Sequence, residues 1–271
     1  MKTIITPTDF SNNANNALRY ANAFAQTIRG KIKMLNVYTP TVGKYNMIRG
    51  IIAEETALAV EAGYKQMEKI SKKYVTVPCT TIMETGDPLD EINSSAVNNK
   101  GDIIILGTHG VTNVQEAVFG STTAKVISHS TLPVLAIPQR YKYKKINKIV
   151  YATDLNNAVN ELKLLIPIAK SLNATIEVLF MDYGWNEHEA QKKALNKKIK
   201  AFSYKKIKYA EVEATIEKTL IDQIENFIKK TKPEVLAMFP TERSWINKIF
   251  NSSKTEDLIY KLKIPLLSIK K

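Results

Sequence analysis

Gly107-Thr108-His109-Gly110 is followed by nine residues and then by Gly120-Ser121-Thr122-Thr123. Glycines at such positions let a backbone turn sharply and approach a bulky anion, because no Cβ stands in the way. The hydroxyls of Ser121, Thr122 and Thr123 add donors beside the last glycine. The run lies between an apolar stretch, Ile103-Ile104-Ile105-Leu106, and a helical pattern, Ala124-Lys125-Val126-Ile127-Ser128. A strand feeding a glycine loop that opens onto a helix offers unpaired N–H groups and the positive end of a helix dipole at one point. The chemistry predicted from this is the binding of a nucleotide phosphate.

Other reactive residue types are sparse. The chain has one cysteine, Cys79, which excludes an internal disulfide and a cysteine-based zinc cluster. Cys79 reads as a small half-buried hydrophobe. Of the three histidines, His109 falls inside the glycine loop, where it either touches phosphate or is an exposed loop residue. His129 falls near a helix end, where a capping or surface role is expected, and His188 is expected on the surface. No two histidines have metal-ligand spacing, so no dedicated metal site is expected. An Mg2+ ion arriving with a nucleotide phosphate is compatible with this. Neither G-x-x-x-x-G-K-[ST] nor G-x-G-x-x-G occurs.

The elements that must carry the loop are written twice. Lys2-Thr3-Ile4-Ile5-Thr6-Pro7-Thr8-Asp9 matches Asn147-Lys148-Ile149-Val150-Tyr151-Ala152-Thr153-Asp154. Each is an apolar strand ending in Thr-Asp, followed by residues with helical spacing: Ala17, Leu18, Ala21, Phe24 and Ala25, then Leu162, Leu165, Ile166, Ile168 and Ala169. Further strands pair off as 31–37 with 175–181, 102–106 with 234–238, and 132–138 with 264–269. Each half therefore reads β-α-β-α-β-α-β-α-β. Apolar strands alternating with helices predict two doubly wound α/β domains, each with a parallel sheet covered on both faces. The expected domains are residues 1–140 and 141–271, joined by a short basic linker from Gln139 to Lys145.

The two copies differ at the loop. Phe239 stands where the first copy has Gly107, Glu242 stands near the position of Gly110, and Asn251-Ser252 replaces Gly120-Ser121. Bulk and negative charge oppose an anion there, so one phosphate site per chain is expected.

The pattern G-x2-G-x9-G-[ST], the strand-end Asp9 and the duplication together resemble the universal stress protein family over nearly the whole chain. The resemblance implies two tandem Rossmann-like domains of the adenine-nucleotide alpha-hydrolase type. It also implies ATP held by the first. Pro7, Thr8 and Asp9 would lie beside adenine or ribose, and Val37 would contact adenine through its backbone. Gly107, Thr108, His109, Gly110, Gly120, Ser121, Thr122 and Thr123 would carry ribose and phosphates. Independently, a ligand crevice is expected at the carboxyl edge of such a sheet. Asp9 has a second reading, an N-cap or Asx-turn residue for the first helix. For Asp154, which lacks the glycines around it, that turn role is the favoured one.

Composition narrows the function classes. Hydrophobic residues make up 44% and charged residues 24%, as in an ordinary globular chain. No apolar run approaches the ~20 residues of a membrane span, and no signal-peptide core is seen, so a cytoplasmic protein is expected. Net charge is +13, with 14 Lys and Arg against 11 Asp and Glu in residues 1–140 and 25 against 15 in residues 141–271. Without a nucleic-acid motif the basic half reads as a solvated face, and nucleic acid is not an expected partner. The segment from Tyr38 to Tyr74 is longer than its counterpart and is either a lid over the site or a surface excursion. The closing strands are candidate edges, and the two domains are expected to pair through them, with homodimerisation also plausible. Three functions are compatible: an ATP-binding regulatory stress protein, a slow metal-dependent ATP hydrolase, and a nucleotide-free interaction module. The loop contains no lysine or arginine, which weighs against strong phosphoryl-transfer catalysis.

Overall fold

A computed structural model describes residues 1–40, 49–108, 121–184, 188–240 and 263–270. The chain divides into two compact units, Lys2–Tyr143 and Lys144–Lys271. The first contains β1 (Thr3–Pro7), α1 (Asn12–Ile28), β2 (Lys31–Tyr38), α2 (Arg49–Tyr74), β3 (Cys79–Thr85), α3 (Pro88–Asn98), β4 (Ile103–Gly107), α4 (Ser121–His129) and β5 (Val134–Ile137). The second contains β6 (Lys148–Thr153), α5 (Ala158–Leu172), β7 (Thr175–Asp182), α6 (Glu189–Ala201), β8 (Ile207–Glu213), α7 (Leu220–Thr231), β9 (Val235–Met238) and β10 (Leu266–Ser268). The helix expected between β9 and β10 lies outside the described residues.

Within the first unit the strands run parallel in the order β3-β2-β1-β4-β5; within the second, β8-β7-β6-β9-β10. These are two tandem doubly wound parallel sheets of Rossmann-like type. The direction of winding reverses between β1 and β4, and between β6 and β9. A crevice opens at the carboxyl ends of the strands at each such switch point.

The strands are buried because both faces are covered. Ile4, Ile5, Met34, Leu35, Ile103, Ile104 and Ile105 are within 1% of full burial. Helix α1 turns Ala17, Leu18, Ala21, Phe24 and Ala25 inward, as their spacing predicts. It starts at Ser11, whose side chain accepts the N–H of Ala14 at 3.1 Å. Helix α3 starts at Asp87, which accepts the N–H of Leu89 at 2.8 Å, with Pro88 in the first turn. Cys79 is half-buried, and burial pushes its thiol pKa up.

Two acidic residues close the amino-terminal edges of the sheets in the same way. Asp102, just before β4, accepts the backbone N–H groups of Lys2 and Thr3 at 2.7 and 2.8 Å. Glu234, just before β9, accepts those of Asn147 and Lys148 at 3.0 and 2.9 Å.

The unit division falls within the expected linker, at Tyr143 and Lys144. The linker's first half is an ordered strap on α1. Asn16 Nδ2 donates to the carbonyls of Pro138 and Tyr141 at 3.3 and 3.2 Å. The Tyr143 ring lies edge-on to Tyr20 with centroids 5.1 Å apart, and its hydroxyl is 2.6 Å from that of Thr27. The aromatic residues between the linker's basic ones supply this anchorage. In the long 38–74 segment, α2 buries Met67 and Ile70 and packs against β2 and β3. The helical part is thus an ordinary crossover, and the loop 41–48 considered as a lid lies outside the described residues. No described helix is long and apolar enough to cross a membrane.

Candidate functional site

At the carboxyl edge of the first sheet, β1, β2, β4 and β5 end side by side. Their registers pair Pro7 with Leu35, Ile5 with Ile104, and Gly107 with Ile137. Asp9 follows β1 by two residues and Val37 is the penultimate residue of β2 at the same level, while Gly107 ends β4 and Thr108 follows it. The sheet therefore gathers Pro7, Thr8, Asp9, Val37, Gly107 and Thr108 at one edge, with the first turn of α4, Ser121 to Thr123, at the return of the same loop. His109, Gly110 and Gly120 lie outside the described residues.

The corner after β1 is built from its own side chains. Thr8 Oγ1 accepts the N–H of Phe10 at 3.0 Å, and Asp9 Oδ1 accepts that of Ser11 at 3.0 Å. These bonds hold Phe10 in the left-handed region at φ 65°. The second unit repeats the corner: Thr153 Oγ1 accepts from Leu155 at 3.0 Å, Asp154 Oδ1 accepts from Asn156 at 3.1 Å, and Leu155 has φ 67°. The Asx-turn role is therefore real for both aspartates. In Asp9, which is exposed, Oδ1 holds the turn and Oδ2 remains for another donor.

The loop's braces were not legible in its glycine spacing. Asn36 Nδ2 donates to the carbonyl of Thr8 at 2.7 Å, tying β2 to the corner after β1. Thr123 is buried and its Oγ1 donates to the carbonyl of Gly107 at 2.9 Å. A hydroxyl has a single proton to give, so Thr123 fixes the start of α4 to the end of β4 rather than donating a side-chain proton to phosphate. Thr108 is also buried, and its N–H continues the ladder to Ile137 O at 3.1 Å.

Gly107 has a packing role that the comparison of the two halves hides. A Cβ built there would lie 2.5 Å from Asn13 Nδ2, 2.8 Å from its Cγ and 3.0 Å from its carbonyl oxygen. Asn13 belongs to α1 and is buried. The absence of the glycine from the second copy does not free it from structural duty in the first. There the corresponding residues are Ala158 and Phe239, and Phe239 packs edge-on against Tyr151 with centroids 5.4 Å apart. The helix residue is small where the strand-end residue is large, and the reverse holds in the first unit.

Other expectations fall out as follows. His129 Nδ1 lies 2.9 Å from the carbonyl of Lys125 in the last turn of α4, the capping position expected of it. His188, expected on the surface, is half-buried, with its ring edge-on to Phe180 at 5.4 Å. The sequence hid this because the strand-end Phe180 and the start of α6 meet only through the fold. Among the described residues no group of three or more His, Cys, Asp and Glu could hold a metal ion. Glu242, Asn251 and Ser252 lie outside the described residues.

The described strand ends and the first turn of α4 frame a crevice at the carboxyl edge, and these residues include no Lys or Arg. An edge of this kind is where doubly wound sheets take their ligands. The universal stress protein family model matches residues 1–138, and the chain belongs to that family. It is 31% identical over 156 residues to universal stress protein MJ0577 of Methanocaldococcus jannaschii, covering 51% of this chain and 96% of that one. It is 26% identical over 140 residues to a universal stress protein of Thermus aquaticus, covering 50% and 98%. Both relatives are about half as long as this chain, as a tandem duplication requires. Among solved structures, a universal stress protein from Archaeoglobus fulgidus shares the fold with a TM-score of 0.68 at 18% identity, covering 99% of this chain and 96% of that one.

Proposed function

We infer that the chain is a regulatory protein of this family that binds ATP through its N-terminal unit. One observation carries the reading: the run Gly107-x2-Gly110-x9-Gly120-Ser121 joins β4 to α4 at the edge where Asp9 follows β1 and Val37 lies one residue from the end of β2. Asp9 Oδ2 faces ribose or adenine, the backbone of Val37 reads adenine, and the loop with the N–H groups of Ser121 to Thr123 takes the phosphates. Thr123 acts as a brace through its bond to Gly107. An Mg2+ ion enters only as the companion of the phosphates. In the second unit the buried ring of Phe239 stands at the strand end, which supports one ATP per chain.

ATP binding biases a conformational or assembly equilibrium, and its energy is not spent on turnover. The test is thermal unfolding with and without Mg-ATP. At about 100 times Kd, ATP adds ~2.7 kcal/mol of apparent stability, and Gly110→Glu, which borrows the second copy's residue, removes that gain. Equal ATP binding by Gly110→Glu overturns the site. Metal-dependent release of ADP or AMP that disappears in Asp9→Asn would establish the hydrolase reading instead.

A further inference from the structure

The second half of the chain is strongly basic, with 25 Lys and Arg against 15 Asp and Glu in residues 141–271. The fold sorts that charge. In a parallel sheet each crossover helix runs back against the strands, so helix ends and strand starts share one edge. Three bonds join them there. Lys206 Nζ donates to the carbonyl of Asn173 at 3.2 Å, Lys205 Nζ to that of Lys200 at 3.1 Å, and Lys148 Nζ to that of Thr231 at 3.0 Å.

Lys170, Lys198, Lys200 and Lys230 lie in the last turns of α5, α6 and α7, where the negative end of a helix dipole favours them. That dipole does not account for Lys145, Lys205, Lys206 and Lys263, which stand just before β6, β8 and β10. All of these lysines are exposed, and none is in an ion pair among the described residues. The neighbouring acids are already engaged. Glu234 accepts the N–H groups of Asn147 and Lys148, Glu177 lies 3.4 Å from Lys148, and Glu225 lies 3.1 Å from Lys229. Asp182, Glu189, Glu213 and Asp222 lie at the opposite edge, at the ends of β7 and β8 and the starts of α6 and α7. A strand of eight residues such as β7 is ~26 Å long. Charges are screened over ~8 Å at physiological salt, so those acids leave the field of the lysine edge standing.

The strand order is β8-β7-β6-β9-β10, so the lysines stand at both outer strands and at the central one. Four interstrand spacings make this row ~19 Å long. Duplex nucleic acid presents about eleven charges over that length, one per ~1.7 Å of its axis. Every cation described in the second unit is a lysine, a compact point charge suited to phosphate and without the planar fork of arginine. Phe202 and Tyr204 at this edge are half-buried, and the Tyr204 hydroxyl donates to the carbonyls of Ala169 and Ala174. They offer no open platform for the unstacked bases of a single strand. The exposed large hydrophobics described in the second unit, Leu164 and Ile216, lie in mid-helix and at the carboxyl edge. The row therefore lacks the apolar side chains that enter a bilayer.

We propose that the amino-terminal edge of the second unit binds the phosphate backbone of double-stranded nucleic acid without regard to base sequence. No motif marks these lysines, because turns far apart in the chain bring them together. The inference does not rest on ATP binding by the first unit.

The test is fluorescence anisotropy of a short labelled DNA duplex titrated with the full chain between about 50 and 200 mM salt. With about four phosphates engaged, log K against log salt has a slope of about −4, and affinity falls on the order of 100-fold over that range. Lys205→Gln with Lys263→Gln is expected to weaken binding at least tenfold at the lower salt and to reduce the slope by about two. Lys198→Gln with Lys230→Gln is expected to do the same. Lys65→Gln with Lys69→Gln, an equal charge change on the exposed side of α2, is expected to alter affinity less than about twofold. Thermal unfolding confirms that each variant is folded, and a duplex of unrelated sequence is expected to bind equally well. Absence of duplex binding, a preference between sequences, an unchanged slope in the edge variants, or an equal loss in the α2 variant each overturns the proposal. Tighter binding to the single strand, or binding to phosphatidylserine vesicles in place of the duplex, overturns it too.

Discussion

Asn13 rests its side-chain amide directly on the Cα of Gly107, so closely that a methyl group at residue 107 would stand 2.5 Å from Nδ2. A helix of the first crossover thus sets the residue type at the mouth of the loop. Gly107→Ala is expected to lower stability by about 1–3 kcal/mol through overpacking. For a protein of this size that is a fall of ~2–4 °C in Tm per kcal/mol. Asn13→Ala, the small residue of the second copy, is expected to relieve most of the penalty. The double mutant then shows a positive coupling in a thermodynamic cycle. An unchanged Tm in Gly107→Ala would show that the contact is not tight in solution.

The Asp102 clamp predicts an acid-sensitive term. Burial alone pushes this carboxyl up, but the N–H groups of Lys2 and Thr3 outweigh burial and hold it below its ordinary value. A depressed carboxylate contributes stability that is fully present above its unfolded pKa and is lost as pH falls through the folded one. Asp102→Asn is therefore expected to cost about 1 kcal/mol at neutral pH, a modest figure because the group is largely exposed. The difference from the parent shrinks to nothing as pH drops below the ordinary carboxylate range. Urea unfolding at pH 7, 5 and 3 measures this, and a gap that persists at low pH would rule out the clamp.

Much of the scaffold could be read from the chain before any coordinates. The apolar strands, the Thr-Asp ends and the helical spacing of Leu162, Leu165 and Ala169 each carry a short-range periodicity, so the duplicated sheets follow from local pattern. The glycine spacing is a local pattern too, but residues 109–120 of that loop lie outside the described ones. What was not legible depends on pairs far apart in sequence. Asn13 with Gly107, Asn36 with the carbonyl of Thr8, and Phe180 with His188 are brought together only by parallel crossovers. The linker's lysines dominate its composition, whereas its tyrosines, packed on Tyr20, hold its first half in place.

The second unit carries a buried acid. Tyr151 is fully buried in β6, and its phenol donates to the carboxylate of Glu161 on α5, itself 5% exposed. Burial, with the Glu161 carboxylate adding to it, pushes the phenol well above its ordinary pKa. Tyr151→Phe is expected to destabilise the protein by about 1–3 kcal/mol by removing that donor. A raised acid stabilises the fold fully below its unfolded pKa and loses that contribution as pH climbs toward the folded value. Stability of the parent should thus decline from about pH 10 upward, with a smaller decline in Tyr151→Phe. Equal alkaline profiles for the two proteins would show that Tyr151 ionises freely.

The Thr-Asp corner occurs in both units with the same bonds and the same left-handed residue after it. Its geometry is set by four neighbouring residues and by nothing the ligand contributes. A carboxylate oxygen is thereby kept at a fixed station above each sheet, whatever surrounds it. Changing the molecule a unit holds then needs new neighbours around that oxygen and no rebuilding of the strand, the turn or the helix. Duplication of such a chain yields two corners of one placement whose surroundings are free to diverge.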